Sequence, residues 1–295
     1  MAISTVKATI NGQTYTLSLN ASTGAYETTI SAPNKSSFNE SGGYYDVSVT
    51  AYDDFGNTTT VNSADASFGD DLKLYVQERV APTITITSPT NSAVLGSNKP
   101  TISWKCSDDD SGVNKDTITL YIDGEEVDGT INASLSAGVY TCSYIPTTAL
   151  TDGSHTLKFE CYDNDGNVAE KSISIKVDTV PPSLNVASPS DNLNTNSPTI
   201  TVSGTTNDIT SSPVTLTVNG QDVTVNSNGS FSTTVNLSTG ENTITVVATD
   251  GAGKSTTVTR TVYYDNAAPV INSISIVPNP VDAGKTFVIS VEVTD

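Results

Sequence analysis

The side chains best equipped for chemistry are carboxylates set in repeated turns. VTAYDDFGN (49–57), FECYDNDGN (159–167) and VVATDGAGK (246–254) each lead from an alternating apolar segment into an Asp/Gly/Asn turn. They put Asp53 and Asp54, Asp163 and Asp165, and Asp250 at equivalent places. Asp108, Asp109 and Asp110 close PTISWKCSDDD, Asp208 closes PTITVSGTTND, and Glu78 and Asp178 stand in VQERVAP and KVDTVPP. Clustered carboxylates are oxygen donors for a hard cation such as Ca²⁺. The same residue types also build turns, where an Asp or Asn side chain caps its own backbone and Gly takes positive φ. No D-x-D-x-D-G-x5-E loop is present to decide between the two uses.

Nothing else in the chain assembles into a catalyst. His155, in LTDGSHTLKF, is the only histidine, and a lone His beside a turn reads as a surface or capping residue. There is no Ser-His-Asp set, no C-x-x-C and no phosphate-cradling Gly loop. Paired carboxylates for glycoside hydrolysis need a cleft, which short strands and linkers do not suggest. Tyr44, Tyr45 and Tyr52, with Tyr263 and Tyr264, could stack on sugars, but their spacing on strands suits half core and half pleat surface. The expectation is a protein that is not an enzyme and takes no cofactor unless Ca²⁺ binds the acidic turns.

The charge balance narrows the partners. Asp and Glu number 32 against 13 Lys and Arg, a formal net charge of -19 over 295 residues. A field of that sign repels phosphate backbones and anionic lipid, so neither nucleic acid nor membrane is an expected partner. No apolar run approaches the ~20 residues of a membrane helix. MAISTVKATINGQ enters a strand directly, without the basic and apolar regions of a signal peptide. Either the mature chain starts in the cytoplasm where it is made, or it is cut from a longer protein.

The turns need elements to hold them, and those elements repeat. TVKATINGQTYTL (5–17) aligns with PVTLTVNGQDVTV (213–225), and TGAYETTI (23–30) with NGSFSTTV (228–235) and AGVYTCSY (137–144). Alternation such as Val6, Ala8, Ile10 or Val214, Leu216, Val218 has period two, the mark of a half-buried antiparallel sheet. Short strands divided by regular turns read as an all-β chain of tandem antiparallel β-sandwiches, arranged as a beads-on-a-string rod. Pro-led linkers mark the boundaries: 1–81, a sandwich without its first two strands; 82–180 and 181–267, two complete sandwiches; and 268–295, the first two strands (A and B) of a further one.

VAPTITITSPT, DGSHTLKFECYDNDGN, DTVPPSLNV and VVATDGAGKSTTVTRTV resemble bacterial immunoglobulin-like repeats, most closely those encoded in tail modules of phages and prophages of gut Firmicutes. The resemblance spans essentially the whole chain. It implies an Ig-like sandwich in a virion or tail-associated structural protein, which reaches the outside of the cell by lysis after cytoplasmic synthesis. Contact with a bacterial surface polysaccharide is an extension of it; it supplies no catalytic residues. In such a sandwich the two acidic loops share one end, facing the preceding linker. Glu78 would then approach Asp108–Asp110 and Asp163, and Asp178 would approach Asp208 and Asp250. A Cys106–Cys161 disulfide would join the strands bridged in antibody domains. Small apolar residues at the corresponding positions (Gly204, Val293; Ala51, Ala248) and a reducing cytoplasm favour three core thiols instead, with Cys142 lacking an obvious partner.

The strand order leaves a question at the two ends. The first unit begins at the third strand, and the tail INSISIVP…KTFVISVEVTD supplies only the first two. In one reading the tail of one molecule donates strands to the first unit of another copy or of a neighbouring tail protein. In the other, the first unit is self-sufficient and the tail is floppy. Val288, Ile289, Val291 and Val293 would otherwise form an unpaired hydrophobic edge, which tilts the reading toward strand exchange. The rival classes are a fragment of a secreted bacterial adhesin and an accessory carbohydrate-binding module of an enzyme.

Overall fold

The computed structural model describes residues 2–295, and the chain divides into two compact units, one ending at Val177 and the other running Asp178–Asp295. The first unit opens with β1 (Ile3–Ile10) and β2 (Gln13–Leu19), joined at Asn11-Gly12, where φ is 47° and 74°. A two-residue hairpin turn needs left-handed backbone at both positions, which Asn and Gly tolerate best. β3 (Tyr26–Glu27), β4 (Tyr45–Asp53), β5 (Thr58–Val61) and β6 (Lys73–Leu74) complete one sheet, ordered β3-β2-β1-β4-β5 with β6 also on β4. Register sets Val6 beside Leu17 and Ala51, and Ala8 beside Tyr15 and Val49, so one face is apolar. The other carries threonine pairs, Thr9–Thr14 at 3.0 Å and Thr50–Thr60 at 2.9 Å.

The rest of this unit is a two-layer sandwich. Its strands are β7 (Thr83–Ser88), β8 (Val94–Leu95), β9 (Ile102–Ser107), β10 (Val113–Ile122), β11 (Glu125–Glu126), β12 (Asn132–Ser136), β13 (Val139–Tyr144), β14 (Gly153–Asp163) and β15 (Val168–Val177). One sheet is β12-β13-β9-β7 and the other β11-β10-β14-β15-β8. Their inner faces alternate cleanly: Ile102, Trp104 and Cys106 face Leu157, Phe159 and Cys161, all fully buried. Trp104 and Phe159 meet edge to face, ring centroids 5.1 Å apart, the arrangement aromatic quadrupoles favour. Cys106, Cys142 and Cys161 are unpaired thiols of this core. The neighbouring Cys142 and Cys161 thiols, together with burial, push the Cys106 thiol pKa up.

The second unit repeats the sandwich. It contains β16 (Ser183–Ser188), β17 (Leu193–Thr195), β18 (Thr199–Asn207), β19 (Thr215–Val218), β20 (Gln221–Val223), β21 (Ser230–Asn236), β22 (Gly240–Thr249) and β23 (Ser255–Tyr264). The sheets are β16-β18-β21 and β17-β23-β22-β19-β20, closed over Val202, Phe231, Ile244, Val246 and Val262. Gly204 lies opposite Phe231, as Cys106 lies opposite Tyr140 in the other sandwich. A Cβ on Gly204 would stand 2.0 Å from the Asn185 carbonyl oxygen and 2.9 Å from the Phe231 ring, so only glycine fits. A final hairpin, β24 (Val270–Val277) with β25 (Val288–Thr294), pairs only with itself. The two complete sandwiches have immunoglobulin-like topology. The chain is thus nearly all β, its only helical segments among the described residues being 3₁₀ turns at Ser37–Asn39 and Asp70–Leu72.

Candidate functional sites: carboxylate clusters and uncovered apolar faces

Two groups of three carboxylates form where linker and loops converge, Glu78/Asp108/Asp163 in the first unit and Asp178/Asp208/Asp250 in the second. In each group one carboxylate oxygen from each residue lies within 4.8 Å of the others. Turn chemistry puts them there. Asp163, at the end of β14, accepts from the Asn167 backbone N–H at 2.8 Å and its side-chain amide at 2.6 Å. Asp250, just past β22, accepts through Oδ1 from Ala252 and Lys254, both at 2.8 Å. Asp108 Oδ1 takes the Asp110 and Gly112 amides, and Asp208 Oδ1 takes those of Thr210 and Ser211.

The two groups differ in solvation. Glu78 is half-buried and accepts the Ser111 N–H at 2.8 Å. Burial holds its carboxyl above the ordinary range despite that bond, and the nearby Asp108 and Asp110 charges add to the effect. Lys35 approaches Asp110 at 3.8 Å, bringing one cation to this end of the sandwich. Asp178, Asp208 and Asp250 are instead 0 %, 8 % and 6 % exposed. The Asp178 carboxylate accepts from Val180 N–H and from the Ser211 hydroxyl. Among the described residues no Lys, Arg or His pairs with any of the three, and Asp250 Oδ2 is buried without a hydrogen-bond partner.

The remaining acidic candidates are used elsewhere. Asp110 accepts the Ser36 N–H at 3.1 Å through Oδ2, and its carbonyl takes the Asn39 amide at 2.6 Å, tying the 36–39 turn to the sandwich. Asp165 accepts the Glu78 N–H at 2.9 Å, while Asp109 is exposed and offers its carbonyl to Lys35. Asp53 closes its own turn through Phe55 and Asn57, which lowers its pKa, chiefly through the Asn57 side chain. Of the tyrosines, Tyr45 and Tyr264 are core, and Tyr44 stacks edge-on with Tyr75 at 6.1 Å.

His155 differs from the sequence expectation of a surface or capping residue. It is buried, with Nδ1 2.6 Å from Asp123 and Nε2 2.7 Å from the Thr151 carbonyl. Asp123 sits at the tip of the β10–β11 hairpin with φ of 54°, so its turn conformation is what aims the carboxylate. Spacing in the sequence gives no signal for this pair, because the residues come from different strands. The pair ties the β10–β11 turn to the start of β14.

Two apolar faces complete the inventory. β24–β25 pairs in the manner of β7–β9 but with its extra residue earlier, between Ile271 and Ser273: Ile271 opposes Val293 as Ile84 opposes Cys106, and Ile274 opposes Val291 as Ile86 opposes Trp104. Ile102, Trp104 and Cys106 are fully buried, whereas Ile289, Val291 and Val293 are 57 %, 48 % and 53 % exposed. Ile271, Ile274, Ile276, Ile289, Val291 and Val293 thus share one uncovered face, opposite one rich in Ser273, Ser275, Ser290 and Glu292. In the first sheet Val47, Val49 and Ala51 are only half-buried, although Leu157, Phe159 and Cys161 at the same places are fully buried. A groove of about 490 Å³ opens beside that face, lined by Ile10, Tyr15 and Tyr45 together with polar residues such as Gln13, Lys35 and Glu40. The segment equivalent to β13 and β21 forms only the two-residue β3, paired to β2.

A family match over part of the chain agrees with the fold. Residues 82–158 match the family described as bacterial Ig domain, and residues 182–266 match the family described as glucodextranase, domain B. A three-domain I-band fragment of titin is 13 % identical, with 88 % of this chain and 87 % of that one covered and a TM-score of 0.43. The fibronectin(III)-like modules of Clostridium thermocellum CbhA are 19 % identical, covering 62 % of this chain and 94 % of that one, with a TM-score of 0.39. No curated protein matches the chain. The protein is built of tandem Ig-like β-sandwiches, with one segment related to bacterial Ig domains.

Proposed function

We propose that the chain is a non-catalytic structural protein that joins a second copy of itself by strand complementation. The observation carrying this reading is the β24–β25 hairpin, whose apolar face repeats the β7–β9 pattern but lies open. Its complement is the first sheet, which has the β10–β14–β15 type of layer and no second sheet paired to it in sequence among the described residues, with Val6 and Ala8 buried but Val47, Val49 and Ala51 only half-buried. The hairpin would cover Val47, Val49 and Ala51, and β25 would give the 23–30 segment the strand that β9 gives β13. Six side chains about half exposed yield roughly 1 kcal/mol each on burial, and the receiving face, where Val6 and Ala8 are already buried, adds less. Set against an association cost of ~4–15 kcal/mol, this leaves net binding only toward the low end of that cost, so weak, concentration-dependent association is expected. The resemblance to tail-module repeats supports placing such an assembly on a virion, outside the cell, with bacterial polysaccharide as a further partner.

The test is the solution mass of the intact chain across concentration, by light scattering after gel filtration. Growth into dimers, rings or filaments is expected, and Val291→Lys or removal of residues 270–295 should return a monomer with unchanged Trp104 fluorescence. Self-association that survives both changes would sink the reading, as would a monomer at every concentration. A second reading rests on the glucodextranase domain B match over 182–266: an accessory, carbohydrate-binding domain of an enzyme. Glycan-array binding by the monomer, together with no self-association, would favour it.

A further inference from the structure

We infer that Asp178, Asp208 and Asp250 form a Ca²⁺ site that fastens the linker residue Asp178 to the two acidic loops of the second unit's sandwich. Three carboxylates more than nine-tenths buried, with no cationic side chain paired to them, are a large uncompensated charge. Backbone amides satisfy part of it. Asp208 Oδ1 takes Thr210 and Ser211, Asp250 Oδ1 takes Ala252 and Lys254, and Asp178 Oδ1 takes Val180. Each of these bonds orders a turn and fixes the direction of its carboxylate. Asp250 Oδ2 is then left buried with no donor, on a residue of a group in which one oxygen from each member lies within 4.8 Å of the others. Two oxygens on opposite sides of Ca²⁺, at roughly 2.4 Å each, are separated by about that distance.

The donor chemistry selects the ion. All three side chains are oxygen donors and neither His nor Cys contributes, which disfavours Zn²⁺ and the other transition metals. Mg²⁺ dehydrates reluctantly and keeps several waters, whereas Ca²⁺ accepts a crowded set of carboxylate and carbonyl oxygens. A site closed over by the 208–211 and 250–254 turns, where the Gly251 N–H already bonds the Ser211 carbonyl at 3.1 Å, suits the second ion.

The test uses the full chain, stripped with chelator and titrated with Ca²⁺, with Mg²⁺ as control, while amide shifts of Ser211, Gly251, Ala252 and Lys254 are followed by NMR. Saturable shifts at these amides with Ca²⁺ but not with equal Mg²⁺ are expected. Asp250→Asn should weaken Ca²⁺ on the order of 100-fold at these amides, since ligand charge count tunes such sites over decades. Three results would each overturn the assignment: no shifts in the unmodified chain, equal shifts with Mg²⁺, or shifts unchanged in a folded Asp250→Asn chain. Should that variant not fold, the unmodified chain with its Mg²⁺ control still decides, because the amide map locates the ion.

Discussion

Replacing Gly204 with alanine tests how tightly the second unit's sandwich is specified. The added Cβ would lie 2.0 Å from the Asn185 carbonyl oxygen and 2.9 Å from Phe231 Cζ. A ring can rotate away, but the carbonyl belongs to β16, whose Val186 pairs with Gly204. Relief therefore requires parting β16 from β18. Overpacking costs ~1–3 kcal/mol and a lost ladder hydrogen bond adds ~0.5–1.5 kcal/mol, so about 3 kcal/mol is expected. At ~4–8 °C per kcal/mol for a domain of this size, that sandwich should melt roughly 15 °C earlier. The chain holds one tryptophan, Trp104, fully buried in the other sandwich. Its fluorescence should unfold unchanged while the far-UV circular dichroism gains an earlier transition. Adding Phe231→Leu separates the two contacts. If the backbone clash dominates, the double variant loses the sum of the single losses. A Gly204→Ala chain that melts within 2 °C of the parent, or one rescued by Phe231→Leu, would refute the reasoning.

The His155–Asp123 pair gives the first sandwich a pH signature. Burial pulls the His155 pKa down, but the Thr151 carbonyl and Asp123 carboxylate more than reverse this and leave it raised. Its contribution is therefore full below the unfolded value near ~6.5 and lost as pH rises through the raised one. Asp123 is opposed by burial yet lowered by Thr156 and His155, so its contribution is lost only as pH falls through that lowered value. The urea midpoint followed by Trp104 should fall between mildly acidic and alkaline pH, and His155→Gln should flatten the slope; an equal slope in the variant would contradict the pairing. The three cysteines are buried thiols, so a thiol reagent should find none in the folded chain and all three in denaturant without reductant. A missing thiol in denaturant would mean a disulfide had formed.

What the sequence discloses follows from which physical period each feature obeys. Burial on alternate residues is a period of two, so Leu157-Phe159-Cys161 and Ile244-Val246-Ala248 announce their inner faces directly. The acidic groups are legible for a different reason: Asp163 and Asp250 are bound to their own turns within four residues, so placing the turn places the carboxylate. Linker position, counted back from Pro82 and Pro182, then supplies Glu78 and Asp178. Strand slips by two residues escape this logic. Ile84 opposes Cys106 in one sandwich, while in the other the partner of Gly204 is Val186 and not Leu184. A two-residue slip keeps every side chain on its face, so alternation cannot register it. The close approach of Asn185 to Gly204 is likewise invisible until the strands are paired. The same limit hides His155 and Asp123, whose meeting depends on how β10 and β14 register across the sheet. It does not hide the β24–β25 face, because an apolar alternation stays apolar whichever partner covers it. The hairpin therefore states its chemistry in sequence and its lack of a cover only in three dimensions, where Ile274 and Val291 remain 62 % and 48 % exposed.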